Sequence, residues 1–133
     1  MIPRLLLIAV VLVSLQACGV SAEQSLDSHI SAAELLARIQ AGSAPAIVDV
    51  RSRGEFDAGH LPGAVHLPFW AVFFRTSEVP ALKHEPVVVY CAHGPRAGLA
   101  KAALRLSGYQ QVLYLEGHMS AWKKAGLPVE RAP

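Results

Sequence analysis

Three short runs, Ile47-Val-Asp-Val50, Val87-Val-Val-Tyr90 and Val112-Leu-Tyr-Leu115, hold β-forming residues without polar alternation and are bounded by turn residues. Runs of this kind are buried on both faces, which is the mark of parallel strands covered by helices. Ala64-Val-His-Leu67, between the loop Gly59-His-Leu-Pro62 and Pro68, predicts a further strand. Helical spacing fills the intervals. Ser31-Ala-Ala-Glu34 reads as a capping box, with Leu35, Leu36 and Ile39 on one face and Gly42 as the stop, predicting a helix over 31–41. Ser52-Arg-Gly-Glu55 is a second capping box and opens a short helix to about Ala58. A third helix is expected over 96–107, with Ala97, Ala100, Ala103 and Leu104 at packing spacing before Gly108, and a fourth over 119–124, ended by Gly126 and Pro128. Strands alternating with helices give the α/β class, with a mostly parallel central sheet flanked by helices. Residues 69–86 show no clear period; their aromatics Phe69, Trp70, Phe73 and Phe74 read as core or rim packing, because no basic residues interleave with them as a base-stacking surface would need. Met119 and Trp122 read as core, and Lys101, Arg105, Lys123 and Lys124 as solvated helix faces.

The N-terminal pattern is different in kind. Arg4 precedes an apolar stretch from Leu5 to Leu15, the order of a secretory signal. That stretch is short of the roughly 20 apolar residues a spanning helix requires. Two processing sites compete. Leu15-Gln16-Ala17-Cys18 resembles the lipobox of bacterial lipoproteins, whereas Val20-Ser21-Ala22 suits ordinary signal cleavage. The first is preferred, and implies removal of residues 1–17, lipid attachment at Cys18 and anchoring by acyl chains rather than by a spanning helix. Residues 18–28 then form a flexible tether and 29–133 one domain. The expected location is outside the cytoplasm, in a bacterial periplasm, tethered to a membrane.

Charge adds one exclusion: a formal net charge of +2 with no basic cluster gives no electrostatic footprint for nucleic acid. Cysteine usage adds a question. With Cys18 committed to the anchor or removed, Cys91 has no disulfide partner in an oxidising compartment, so it is either used as a thiol or buried as a structural residue. Its position favours use. Cys91 is the first residue beyond an apolar strand, where open α/β sheets bind ligands, and the chain from Cys91 to Ala97 turns from strand into helix. Along such a turn, successive amides lack ladder or helix partners, and with Gly94 tightening the turn they form a bowl of donors suited to an anion. A helix N-terminus and a nearby cation also favour a thiolate. Arg96 supplies that cation, either as a fork for an anionic substrate or as a counter-charge to Cys91.

At this point the chain resembles the rhodanese-like family of sulfurtransferases. Asp49-Val-Arg51, Glu55-Phe56, Gly59-His60-Leu61-Pro62-Gly63-Ala64 and Leu67-Pro68 are similar to its first signature, Tyr90-Cys91-Ala92-His93-Gly94-Pro95-Arg96-Ala97 to its active-site loop, and Leu115-Glu116-Gly117, Met119, Ala121-Trp122 and Gly126-Leu127-Pro128-Val129 to its closing signature. The resemblance implies that Cys91 takes sulfur from thiosulfate or another small anionic sulfane donor, holds it as a persulfide, and passes it to a thiophilic acceptor such as cyanide or a thiol, with no metal or organic cofactor. It implies donor binding by Ala92, His93, Gly94, Pro95, Arg96 and Ala97. Four residues separate Cys91 from Arg96, one fewer than in phosphatase-type loops of the same fold, so the bowl is small for a phosphorylated side chain. Two positions depart from the common pattern: His118 follows Gly117 where a second glycine is frequent, and Ala97 replaces a frequent hydroxyl residue.

The remaining polar residues read as support. Asp49, Arg51 and Glu55 are expected to form a buried ionic brace under the loop rather than, with Asp57, an acid–base pair. His60 is expected to make a structural hydrogen bond in a turn. His93 either adds charge to the bowl when protonated or faces solvent. No pair with metal-ligand spacing stands among the six histidines. Two other functions stay open: a non-catalytic binding module that keeps the fold, and a thiol-based phosphatase or oxyanion reductase. The sequence leaves the oligomeric state unspecified.

Overall fold

The computed structural model describes residues 28–133. The proposed signal, Cys18 and nearly all of the tether lie outside the described residues. Five strands form one all-parallel sheet in the order β1-β5-β4-β2-β3, where β1 is His29–Ile30, β2 Ala46–Asp49, β3 Val65–His66, β4 Pro86–Tyr90 and β5 Gln111–Leu115. The helices are α1 Ala32–Gln40, α2 Arg53–Ala58, α3 Pro95–Leu106 and α4 His118–Lys124. Among the described residues no helix is long and apolar enough to cross a membrane.

Alternation along the central strand divides the core in two. Val87, Val89 and Cys91 join Val48 of β2 and Val112 of β5 beneath Ala97, Ala100 and Leu104 of α3. Val88 and Tyr90 face the opposite layer, where Leu35 of α1 and Met119 and Trp122 of α4 close over Ile47 and Leu115. Alanines at the packing positions of α3 let that helix lie close on the sheet. Trp122 is fully buried and donates its indole N–H to the Pro128 carbonyl at 2.8 Å, so its large apolar surface is buried without an orphaned donor. Burial of a side chain such as Leu35, which is completely covered, contributes on the order of 2 kcal/mol.

The elements expected from the sequence form within a residue or two at each end, with two additions. His29–Ile30 pairs with Tyr114 and Leu115 as an edge strand, too short for any periodicity to show. Residues 69–86 carry two 3-10 turns, Val72–Phe74 and Thr76–Glu78. This segment corrects the packing expectation: Phe69 rests against the α3-side core, but Trp70, Phe73 and Phe74 are 69%, 56% and 83% exposed. Ala71, Val72 and Val79 are the residues that fill the core there. Lys101 is a second correction, since it is buried rather than solvated, with its ammonium 4.3 Å from the centre of the Tyr114 ring. A third concerns α1. The Ser31 hydroxyl caps the Glu34 amide at 3.1 Å, but the Glu34 carboxylate turns to Arg38 at 2.6 Å, so only half of that capping box forms.

Candidate functional site

The parallel strands all end on one edge of the sheet, and the base of the site is built there from β2 and β4. Asp49 is fully buried at the end of β2 and accepts five bonds: from the Arg51 amide (3.0 Å), from Arg51 Nε to each oxygen (3.0 and 3.2 Å), from Arg51 Nη2 (2.7 Å) and from the Tyr90 hydroxyl (2.7 Å). Arg51 also donates to the Gly59 carbonyl at 2.7 Å and lies 5.6 Å from the centre of the Tyr90 ring. The Tyr90 hydroxyl in turn accepts the Leu61 amide at 3.1 Å. Burial pushes the Tyr90 phenol up from its ordinary range, so it stays a donor to the carboxylate. Buried charges are tolerated only when paired and hydrogen-bonded, and this pair meets both conditions. The brace ties β2 to the residue immediately before Cys91.

Glu55 does not join that brace, contrary to the expectation from sequence. It completes a full capping box at the start of α2, accepting the Ser52 amide at 2.9 Å while the Ser52 hydroxyl accepts the Glu55 amide at 3.3 Å. Its carboxylate then meets Arg96 in a bidentate pair at 2.7 and 2.9 Å. The charge-assisted bonds from Arg96 hold the Glu55 carboxyl well below the usual carboxylate range, and the same bonds raise the guanidinium. The Arg96 fork is therefore bonded to a protein carboxylate at the mouth of the site instead of standing free for an anion. His60 is the structural hydrogen-bonding residue anticipated: Nδ1 lies 2.8 Å from the Phe56 carbonyl and the ring stacks on Phe56 with centroids 3.7 Å apart.

Cys91 sits where β4 gives way to the loop and is 1% exposed. Its side chain continues the α3-facing alternation of the strand, which explains the burial. The sulfur is nonetheless met by a donor, the Gly94 amide at 3.0 Å. Gly94 has φ +134°, a conformation that residues with a Cβ rarely adopt, and this turns its N–H back toward the thiol. Pro95 occupies the first position of α3, where its fixed φ suits the helix start, and it has no N–H to contribute to the bowl. Ala97 is buried under the loop, and His93 is exposed. A cleft of about 480 Å³ opens beside the loop, lined by Arg51, Glu55, Ala92, His93, Met119 and Lys123 among others. Among the described residues no group of three or more His, Cys, Asp or Glu side chains converges as a metal site.

From below, the loop is fixed by α4. The Met119 amide donates to the Cys91 carbonyl at 2.9 Å and the Ser120 amide to the Ala92 carbonyl at 3.1 Å. The Cys91 amide donates to Nδ1 of His118 at 3.3 Å. His118 was marked by sequence only as a departure from glycine; its spatial partner lies 27 residues away, and no local pattern could name it.

Residues 31–125 match the family described as Rhodanese-like domain, and the chain belongs to it. A sulfurtransferase of Allochromatium vinosum is 41% identical over 83 residues, covering 62% of this chain and 76% of that protein. The probable adenylyltransferase/sulfurtransferase MoeZ of Mycobacterium tuberculosis is 30% identical over 117 residues, which are 85% of this chain but only 30% of that protein. Among solved structures, the rhodanese-like domain of the Anabaena Alr3790 protein superposes with a TM-score of 0.70 at 31% identity, covering 80% of each chain. RPA3614 of Rhodopseudomonas palustris, described as a protein of unknown function and possible tyrosine phosphatase, superposes at 0.65 with 30% identity over 78% of this chain and 85% of that one.

Proposed function

We propose that this protein is a sulfurtransferase that accepts a sulfane sulfur from thiosulfate or a similar small anion and passes it to a thiophilic acceptor through a persulfide on Cys91. One observation carries the reading: in a strand-to-helix loop, the Gly94 amide points at the Cys91 sulfur from 3.0 Å. A donor so placed bonds the sulfur and remains to hold the outer sulfur once the persulfide forms. In the first step the Cys91 thiolate attacks the outer sulfur of thiosulfate; the S–S bond to the sulfonate breaks and sulfite leaves with the electron pair. In the second, an acceptor such as cyanide attacks the outer sulfur of the persulfide, leaving as thiocyanate and regenerating the Cys91 thiolate. Kinship with the Allochromatium sulfurtransferase supports the same reading.

In this reading the loop residues Ala92, His93, Gly94, Arg96 and Ala97 serve donor binding, Ala92 and His93 from the wall of the cleft, with Arg96 acting through its pair with Glu55 to hold the loop rather than as a free anion clamp. The short Cys91-to-Arg96 spacing weighs against phosphate. The expected result is thiocyanate production from thiosulfate and cyanide, abolished in Cys91→Ser, with no hydrolysis of an aryl phosphate. A folded wild-type protein that hydrolyses the phosphate and makes no thiocyanate would replace this reading with the phosphatase one. A protein inert in both assays would point to a binding module.

Residues 1–18 add a location to the proposal: export to a bacterial periplasm and lipid attachment at Cys18. Metabolic labelling with palmitate, lost in Cys18→Ser, is the expected outcome; label-free protein cleaved after Ala22 would show ordinary secretion instead.

A further inference from the structure

His118 occupies a position where the backbone resists a side chain. It is the one non-glycine with positive φ among the described residues, at +54°, directly after Gly117 at +69°. The glycine is required there, because a Cβ on residue 117 would fall 2.4 Å from the Cβ of Ala121. At 118 glycine would be equally comfortable, yet the chain carries an imidazole. Histidine, with asparagine and aspartate, tolerates this region better than most residues, but the conformation still calls for compensation. The side chain supplies it. Nδ1 receives the Cys91 amide at 3.3 Å, and the Nε2 edge of the ring packs against Gly94, 3.4 Å from the point a Cβ would occupy. One ring thus bonds Cys91 and lies beside the glycine whose amide faces its sulfur.

A backbone amide only donates. Nδ1 must therefore carry a lone pair, which places the proton of the neutral ring on Nε2. Protonating His118 would turn the acceptor into a second donor and break the contact. The groups around this ring are His29 on β1, Tyr114 on β5 with its ring centroid 6.1 Å away, Lys101 of α3 with its ammonium 4.3 Å from the Tyr114 ring centre, and His93 and Cys91 on the loop. Every basic member of that set opposes a further positive charge; only an ionised Cys91 or its persulfide would favour one. Desolvation, then His29 and His93, hold the imidazole below its ordinary value of 6.5. The contact is accordingly intact at neutral pH and lost as pH falls below the ordinary histidine range.

We infer that His118 is a positioning residue for sulfur transfer, holding the Cys91 peptide in its reactive orientation through Nδ1 and releasing it on acidification. Together with the bonds from Met119 and Ser120 to the carbonyls of Cys91 and Ala92, it fixes the loop on both its donor and its acceptor sides. The inference deepens the sulfurtransferase reading and rests on it for its catalytic consequence, but the contact itself is measurable without turnover.

The test has two arms on the full chain. In the first, nitrogen and amide-proton resonances are followed by NMR from pH 8 to 5 in Cys91→Ser, which removes the thiol's own titration. The residue-91 amide should move with the same midpoint as the His118 ring, below 6.5, and should stop moving in the double variant with His118→Asn. In the second, single-turnover persulfide formation is measured against pH. Asparagine keeps an acceptor oxygen near the place of Nδ1, tolerates positive φ and does not titrate, so His118→Asn should retain the neutral rate within about twofold while its acid limb loses one ionisation. His118→Gly, without any acceptor, should be slower than wild type at neutral pH by roughly two- to tenfold, the worth of one hydrogen bond, with the gap closing in acid as wild type loses the same contact. A residue-91 amide indifferent to His118, or identical acid limbs in wild type and His118→Asn, would overturn the inference. Coupled resonances with no persulfide at any pH would leave the contact standing and remove the sulfurtransferase reading.

Discussion

The Asp49–Arg51 pair makes the most quantitative demand on the structure. In Arg51→Met the Asp49 carboxylate keeps only the Tyr90 hydroxyl and the residue-51 amide, and the Gly59 carbonyl loses its donor. A buried charge stripped of its partner costs about 3–5 kcal/mol. In Asp49→Leu the guanidinium keeps Gly59 and the face of Tyr90, but the Tyr90 hydroxyl and the residue-51 amide lose their acceptor, which adds about 2–6 kcal/mol to the unpaired cation. Against the 5–15 kcal/mol typical of a domain, either single change removes a large part of the total. The double variant carries neither charge, so only the Tyr90 hydroxyl, the residue-51 amide and the Gly59 carbonyl are left unmatched, at about 3–9 kcal/mol. The double should therefore be at least as stable as the worse single, a coupling of about 3 kcal/mol or more. Urea unfolding followed by tryptophan fluorescence reads this directly, since Trp122 is fully buried and Trp70 is largely exposed in the native state. If a single variant fails to fold and the double folds, the coupling is shown without a midpoint. Additive losses across the cycle would refute the claim that these charges are buried as a pair.

The other predictions are simpler. Glu55→Gln should lower stability by about 1–2 kcal/mol at pH 7, a figure kept small because the Glu55 and Arg96 side chains are 37% and 30% exposed. Since the folded-state carboxyl is depressed, its contribution is complete above the ordinary carboxylate pKa of about 4.3 and decays as pH falls below that, so the gap between wild type and Glu55→Gln should narrow in acid urea melts. A gap that stays constant would mean that the charge is not its origin. Gly117→Ala should lose about 2–4 kcal/mol, because its Cβ collides with Ala121 and its φ is positive; a thermal midpoint equal to wild type would show that the α4 start is looser than described. Phe74→Ser should leave the thermal midpoint within a few degrees, since the side chain is 83% exposed.

What could be read from the sequence follows the range of the physics involved. Buried parallel strands are continuous apolar runs, so β2, β4 and β5 were visible, and caps that act within three or four residues marked α1 and α2. The glycine-bearing loop after an apolar strand located Cys91 for the same reason. Long-range choices were not visible. Glu55 had a local partner in Ser52 and a distant one in Arg96, 41 residues on, and only the folded chain shows that it uses both. Two-residue β1 is defined entirely by its neighbour β5. Trp70, Phe73 and Phe74 read as core or rim packing by type, but the 3-10 turn presents Val72 inward instead and leaves all three mostly exposed. Nor does spacing reveal that Lys101 folds over Tyr114.

Sulfur transfer requires that the covered sulfur of Cys91 carry a second sulfur atom. Intact mass spectrometry of the reduced, folded protein after brief exposure to thiosulfate asks this most directly. The expected result is a gain of one sulfur atom, removed again by cyanide and absent from Cys91→Ser. An unchanged mass in wild type, with the thiol shown to be free and the fold intact, would contradict it.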